Sequence, residues 1–362
     1  MSLPYLQPYL GLSNGLNTLH AAGGPGGTVG GWVELARTTL GSAGDIITVS
    51  SLPNKRYYMI LTDVRPTSAA NPYMRLGSSG TLDTGSNYSE RIQFQGGSEV
   101  TYTSSSYYNA YAGGAAAPSF WVQYLANYAS KEKLSIMHGN YQGSAGAASV
   151  PVRFEVSSKW ANTSNAIDVF QLNNTAGGNR LTAGSEVVVL GWDPADSHTN
   201  NYWEEIGSAT GTGIEDITLS STKKYIWFQA FIKSGGASGN FQLRAGNGSL
   251  DTGSNYSERR STNGGGDATG TSQTSIGTVT GLYASGDIGF LNGFIINNAN
   301  NEKLFICHIT DNTPGSGATT APNRRELVGK WANTSNAIDH LGYLATSGSV
   351  HADSVMKVWG AD

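Results

Sequence analysis

The sequence holds a single cysteine in 362 residues. One thiol, Cys307, excludes an intramolecular disulfide framework and a cysteine-rich zinc site. Its place in the apolar run "LFICHI" fits a buried small hydrophobe. Charge is also sparse: Asp, Glu, Lys and Arg make up 13% of the chain, and the net charge is −4. That balance offers no basic surface for nucleic acid and no polybasic segment for an anionic membrane. No long segment carries a convincing helical period. The opening "MSLPYLQPYLGLSNGL" has no basic start, and Pro4, Pro8 and Gly11 interrupt it. It therefore reads as neither a secretory leader nor a membrane span.

Glycine, by contrast, is plentiful at 48 residues, and tyrosine alone counts 18. Short Thr/Val/Tyr/Ile runs alternate with Gly/Ser/Asn clusters, the pattern of an all-β protein with many turns. The chain is also internally duplicated. "LDTGSNYSER" occurs at 82–91 and again at 250–259, and "KWANTSNAID" occurs at 159–168 and again at 330–339. "KEKLSIMHGNYQGSAG" aligns with "NEKLFICHITDNTPGSG", and both halves close on an apolar strand, "EVVVLGWD" and "SVMKVWGAD". The expected organisation is an N-terminal arm and Gly-rich tether at 1–30, a repeat at 31–193, a polar linker at 194–201 and a second repeat at 202–362.

Each repeat offers about eight strand-like runs of typical strand length. Eight antiparallel strands in two packed sheets make a jelly roll, and the repeat length suits that fold better than the alternative, an immunoglobulin-like sandwich. The expectation is all-β: two tandem jelly-roll-like β-sandwiches with an extended N-terminal arm. "RYYMILTD" and "KYIWFQAF" are dense in aromatic and β-branched residues, which places them mid-sheet.

Asp-Thr-Gly once in each half raises the question of an aspartic protease. That chemistry needs two buried carboxylates sharing one proton. Here "GSSGT" and "GNGS" lead in and "SNYSER" leads out, which are turn sequences. A structural role needs less. Asp83 or Asn87, and Asp251 or Asn255, bond nearby backbone amides and fix a loop. Tyr88 and Tyr256 lay their rings over the sandwich with hydroxyls outward, and Glu90 pairs with Arg91 in solvent. Trp160 and Trp331 anchor by burying apolar area. The Asn162–Asn165 and Asn333–Asn336 stretches turn into strands that begin at Ile167 and Ile338. On this reading the two retained peptides pack together at one end of each sandwich.

His138 and His308 occupy equivalent places and read as satisfied strand-end histidines, because no second ligand lies at useful spacing. The Asn-Thr-Ser sequons at Asn162 and Asn333 read as chance matches. "STNGGGDATGTSQ" lacks the Gly-Lys-Ser/Thr ending of a phosphate loop. No metal and no cofactor is expected. Tyr107, Tyr108 and Tyr111 in "SYYNAYAGG" are candidates to stack on a surface glycan or to contact a protein. Tyr5, Leu6, Tyr9 and Leu10 are the arm residues expected to fill pockets on another subunit, the alternative being a disordered tail.

The elements "DTGSNYSER", "NEKLFICHI" and "APNRRELVGKWANTSNAID" together resemble a recurrent module in predicted virion proteins of tailed phages from marine and freshwater environments, a cyanophage-like group. The resemblance covers both repeats, and "KWANTSN" is its most specific part. It implies a β-sandwich module on a phage particle, on capsid or tail, and carries no residue-level role. The expected function is thus a non-enzymatic virion structural protein, a capsid cement or decoration protein. A tail or fibre protein binding a receptor or carbohydrate is the alternative, and the aspartic protease a remote one. Expected partners are other virion proteins, capsid or tail subunits, and further copies of the chain, with a trimer as one form jelly rolls adopt. Neither nucleic acid nor membrane is expected, and the expected location is the virion.

Overall fold

The computed structural model describes residues 31–362 except 69, 114–116, 197–199, 237–238, 283–284 and 313–317. The expected arm contacts Tyr5, Leu6, Tyr9 and Leu10 lie outside the described residues. Within them the protein is built from antiparallel strands, with one 3-10 turn at Gly211–Glu215. No helix among them is long and apolar enough to cross a membrane.

In the first repeat an eight-stranded sheet runs in the order Val33–Thr39, Glu186–Trp192, Tyr57–Val64, Ser119–Ala126, Lys133–Tyr141, Val152–Trp160, Tyr88–Phe94, Val100–Ser105. Facing it is a smaller sheet ordered Ile46–Val49, Val169–Asn174, Pro72–Ser78, Thr81–Leu82, with Tyr108–Asn109 also paired to Pro72–Ser78. The second repeat has the same large sheet, ordered Glu204–Thr210, Val355–Ala361, Tyr225–Lys233, Ile288–Ile296, Lys303–Asp311, Asn323–Trp331, Tyr256–Thr262, Ala268–Gln273. Its facing sheet is ordered Ile217–Thr218, His340–Ser347, Gly239–Gly246, Ile276–Leu282. The fold is two tandem jelly-roll-like β-sandwiches. Among the described residues, thirteen strands in the first repeat and twelve in the second exceed the expected eight. Part of the excess is short pairings, such as Thr81–Leu82 and Tyr108–Asn109, where connecting chain runs beside Pro72–Ser78.

Each sandwich has its own core. Tyr58, Ile60, Met74, Trp121, Phe154 and Leu172 belong to the first, and Ile226, Phe228, Leu243, Leu291, Phe305 and Tyr343 to the second. Tyr57–Val64 and Tyr225–Lys233 lie third from the edge of their sheets. Alternate residues of a strand point to opposite faces, and in Tyr57–Val64 both faces are buried. Tyr58 and Ile60 face the sandwich core, whereas Met59 and Leu61 face the second repeat. Gly139 sits opposite Phe154 in the sheet, and a β-carbon there would collide with the ring and with Trp121. Gly293 stands in the same relation to the Phe228 ring.

The two large sheets pack on each other, which makes four layers in all. Met59, Leu61, Phe120, Val122, Val188 and Leu190 of the first repeat share one cluster with Trp203, Tyr225, Phe294, Leu304, Ile306 and Trp359 of the second. Complete burial of such a side chain stabilises by ~1.5–3 kcal/mol, so this contact has the make-up of a second core. Polar groups ring it. Lys224 reaches Glu186 at 2.9 Å and Asp63 at 3.3 Å, Tyr225 donates to Glu186 at 2.8 Å, and Asn298 donates to Asp63 at 3.0 Å.

Candidate functional site

The retained peptides lie against each other in each repeat. The Trp160 indole N–H donates to Asp83 Oδ2 at 2.7 Å, and Trp331 donates to Asp251 Oδ2 at 2.7 Å. Asn87 Nδ2 and the Gly85 amide also donate to Asp83 (2.8 Å each), as Asn255 Nδ2 and the Gly253 amide do to Asp251 (2.8 Å each). The last residue of "KWANTSNAID" returns the contact. Asp168 accepts from the amide of Gly80, which has φ of 72°, and Asp339 accepts from Gly248, with φ of 70°. Lys133 and Lys303 donate to the carbonyls of Asn162 (2.8 Å) and Asn333 (2.9 Å), and each ammonium lies over the neighbouring tryptophan. Retention of "DTGSN", "EKL" and "KWANTSNAID" together thus has a physical cause: they are one hydrogen-bonded brace. Burial pushes the Asp83 and Asp251 carboxyls up, but the indole, asparagine and amide donors outweigh it and hold both below the usual range. Each carboxylate is occupied by donors of its own repeat, so the two are not arranged to share a proton.

Several expected details are corrected. The hydroxyls of Tyr88 and Tyr256 point inward: Tyr88 donates to the carbonyls of Leu76 (2.9 Å) and Asp83 (3.0 Å), Tyr256 to those of Ala245 (2.6 Å) and Asp251 (3.0 Å). Glu90 does not pair with Arg91. It follows Tyr88 and precedes Ile92 on the inward face, is buried, and bonds Asn109, while Arg91 pairs with Glu99 in solvent. Asn162 and Asn333 close turns on the amides of Ser164, Asn165, Ser335 and Asn336, but the following strands begin at Val169 and His340 because Ile167 and Ile338 donate to Asn127 and Asn297 instead. Tyr108 cannot stack on a sugar, since it is buried edge-on to Tyr88. Tyr107 and Tyr111 are half-buried, with rings 4.5 Å from Tyr73 and 5.0 Å from Phe94.

The histidines are also not lone strand-end residues. His138 and His308 lie mid-strand, opposite Glu155 and Glu326 in their sheets. Packing of the repeats brings His308 Nε2 within 3.0 Å of His138 Nδ1. Donor atoms of His138, His308 and Glu155 fall within 4.8 Å of one another, so the missing second ligand comes from the other repeat. The surroundings suit a neutral pair. Arg153 bonds Glu155 at 2.5 Å and Asp267 at 2.7 Å, and Arg324 bonds Glu326 at 2.7 Å. Burial, the neighbouring ring and Arg153 hold His138 well below its ordinary value, and burial with Arg153 and Arg324 lowers His308 to about 4. One ring donates and the other accepts. A cation here would meet two guanidiniums and a carboxylate already engaged by one of them.

The most conspicuous free surface is on the outer face of the first repeat's large sheet. Trp32, Tyr57, Tyr124, Leu134, Ile136 and Trp192 line an apolar groove of about 390 Å³. Tyr57 stacks on Trp192 with ring centres 5.3 Å apart, and Leu134 and Ile136 are 58% and 51% exposed. Beside it a second groove of about 450 Å³ runs between Tyr102, Ser89, Arg91 and Lys159. In "KLSIMH" Leu134 and Ile136 point outward, while Met137 and the polar Ser135 point in, where Ser135 bonds Ser158 and Gln123. That inversion is the sequence signal for this face, because an outward apolar row on a strand needs a partner.

No family model and no curated protein matches the chain. Among solved structures it is similar to the LG4–5 domains of the mouse laminin alpha1 chain, with 10% identity and a TM-score of 0.20 over 91% of this chain and 90% of that one. It is also similar to OccK9 (OpdG) of Pseudomonas aeruginosa, with 8% identity and a TM-score of 0.13 over 84% and 97%. At those scores neither likeness bears on function.

Proposed function

We propose that this chain is a non-enzymatic structural protein of a tailed-phage virion, a cement or decoration protein on the capsid. The observation that carries the proposal is the exposed apolar face around Trp32, Leu134, Ile136 and Trp192 on a block of four β layers. Such a face on a braced scaffold suits docking to protein, and sparse charge suits dense packing among neighbours. Residues 1–30, with Tyr5, Leu6, Tyr9 and Leu10, serve to grip an adjacent virion subunit. The test uses virions of a phage encoding the chain. Gel densitometry should give a high copy number that tracks capsid area, and chain lacking residues 1–30 should stay folded yet fail to rebind stripped particles. Absence from the virion would overturn the proposal.

The stacked Tyr57–Trp192 pair supports a second reading, a carbohydrate-binding protein of the tail or fibre, since flat aromatic rings also receive sugars. A low copy number confined to tails, with glycan binding lost in Trp192→Ala, would favour it.

A further inference from the structure

Packing between the repeats joins unlike surfaces. Tyr57 pairs with Trp192 and Ala126 in its sheet as Tyr225 pairs with Ala361 and Ile296, and Lys133 pairs with Trp160 as Lys303 pairs with Trp331. These registers make Leu134, Ile136 and Tyr124 the counterparts of Leu304, Ile306 and Phe294. The second set is covered, with Leu304 0% and Ile306 3% exposed. It shares a cluster with the adjoining part of the first repeat's sheet, Met59, Leu61, Phe120 and Val122.

Polar contacts follow the same pattern. The connection after Lys133–Tyr141 clasps the second repeat: Lys330 donates to the carbonyls of Gln142 (3.2 Å) and Ser144 (2.6 Å), Ser257 to Ser149 (2.8 Å), and Arg259 to Pro151 (3.0 Å). The first-repeat counterparts of Lys330, Ser257 and Arg259 are Lys159, Ser89 and Arg91, and all three line the open second groove. On the second repeat the counterparts of Asp63 and Phe120 are Phe231 and Phe290. Those two, with Ile288, are exposed large apolar residues, Phe290 at 45%. Around the contact of the equivalent His138 and His308, the first repeat's inserting face and the second repeat's receiving face are used internally, while the first repeat's receiving face and the Phe231–Ile288–Phe290 part of the second repeat's inserting face are left over. Contacts between unlike faces propagate to further copies, whereas like-with-like contacts close on themselves.

We infer that the chain self-associates head to tail, with the Phe231–Ile288–Phe290 end of one copy seated on the Leu134–Ile136 face of the next, as the first repeat seats on the second within one chain. Leu61, Val122 and Val188 of the internal contact correspond to Gln229, Asn292 and Lys357 at the free end. A more polar insertion makes the contact between chains weaker than the internal one, and reversible. The inference rests on reading the Leu134–Ile136 face as a protein-docking surface, and names the protein as a second copy.

Sedimentation velocity of the full chain across the micromolar range tests it, using two variants at exposed positions, Ile136→Asp and Phe290→Asp. The wild type should show average mass rising with concentration above that of one chain. Each variant alone should stay monomeric with an unchanged circular dichroism spectrum. An equal mixture should give dimers and nothing larger, because each variant retains one competent face. Three results would overturn the inference: a wild type that is monomeric throughout, an Ile136→Asp variant that still associates, or a mixture that stays monomeric. Particle rebinding of the same variants separates this failure from failure of the virion reading, since a monomeric chain that still decorates particles would sink only the self-association.

Discussion

Acidification should loosen the join between the repeats through His308. The ring is half-buried and hydrogen-bonded to His138, and is faced by Arg153, Arg324, Glu155 and Glu326. Burial and the two guanidiniums lower its pKa from 6.5 to about 4. The folded form therefore binds fewer protons than the unfolded form between those values. Stability from the neutral ring is fully present above 6.5 and is lost as pH falls toward about 4. At ~1.4 kcal/mol per pH unit the loss is capped at ~3 kcal/mol, and partial exposure of the ring reduces it to about 1–2 kcal/mol. Urea unfolding of wild type and His308→Asn, followed by tryptophan fluorescence at a series of pH values, isolates the effect. Carboxylate titrations are common to both proteins and cancel in the difference. The wild type should lose stability relative to the variant between pH 6.5 and 4, most steeply near the middle. A difference that is flat across that window would refute the reasoning.

Other perturbations report on the braces and the core. Asp83→Ala leaves the buried Trp160 indole without its acceptor and should cost ~1–3 kcal/mol in urea unfolding; Asp251→Ala should cost a similar amount, since its contacts are the same. Gly139→Ala drives a methyl into the Phe154 ring and should cost ~1–3 kcal/mol in the same assay, with little change for Gly41→Ala, because open space surrounds that glycine and its φ lies outside the left-handed region. Burial raises Glu90 from 4.5 to about 7 against the bonds from Asn109. The fold then binds the extra proton, so the stability it provides is present below 4.5 and lost as pH rises through about 7. Glu90→Gln should gain on wild type over that window in urea midpoint.

Duplication, all-β character and the loop role of the twin peptides were readable from the sequence because they reside in local turn chemistry and in exact repetition. Glu90 was also within reach: "YSERI" alternates Tyr88, Glu90 and Ile92 onto one face, and the strand period places the carboxyl inside. Reading it as half of an adjacent-residue ion pair with Arg91 ignored that neighbours in a strand point apart. The histidine pair was not readable, because which positions of two repeats meet is set by how their sheets pack, and that is a property of the interface. For the same reason "KLSIMH" and "KLFICH" look alike although one row is bare and the other covered. Tyr108 misled because a tyrosine-rich, glycine-flanked segment reads as a loop tip, whereas Tyr108–Asn109 pairs with Pro72–Ser78 and turns the ring inward.

The central claim is that one surface occurs twice, covered in the second repeat and bare in the first. Hydroxyl-radical footprinting of dilute full-length chain, read by mass spectrometry, tests it residue by residue. Tyr57, Leu134 and Ile136 should be oxidised readily, and their counterparts Tyr225, Leu304 and Ile306 should be protected. Equal protection of both sets, or equal oxidation of both, would contradict the account.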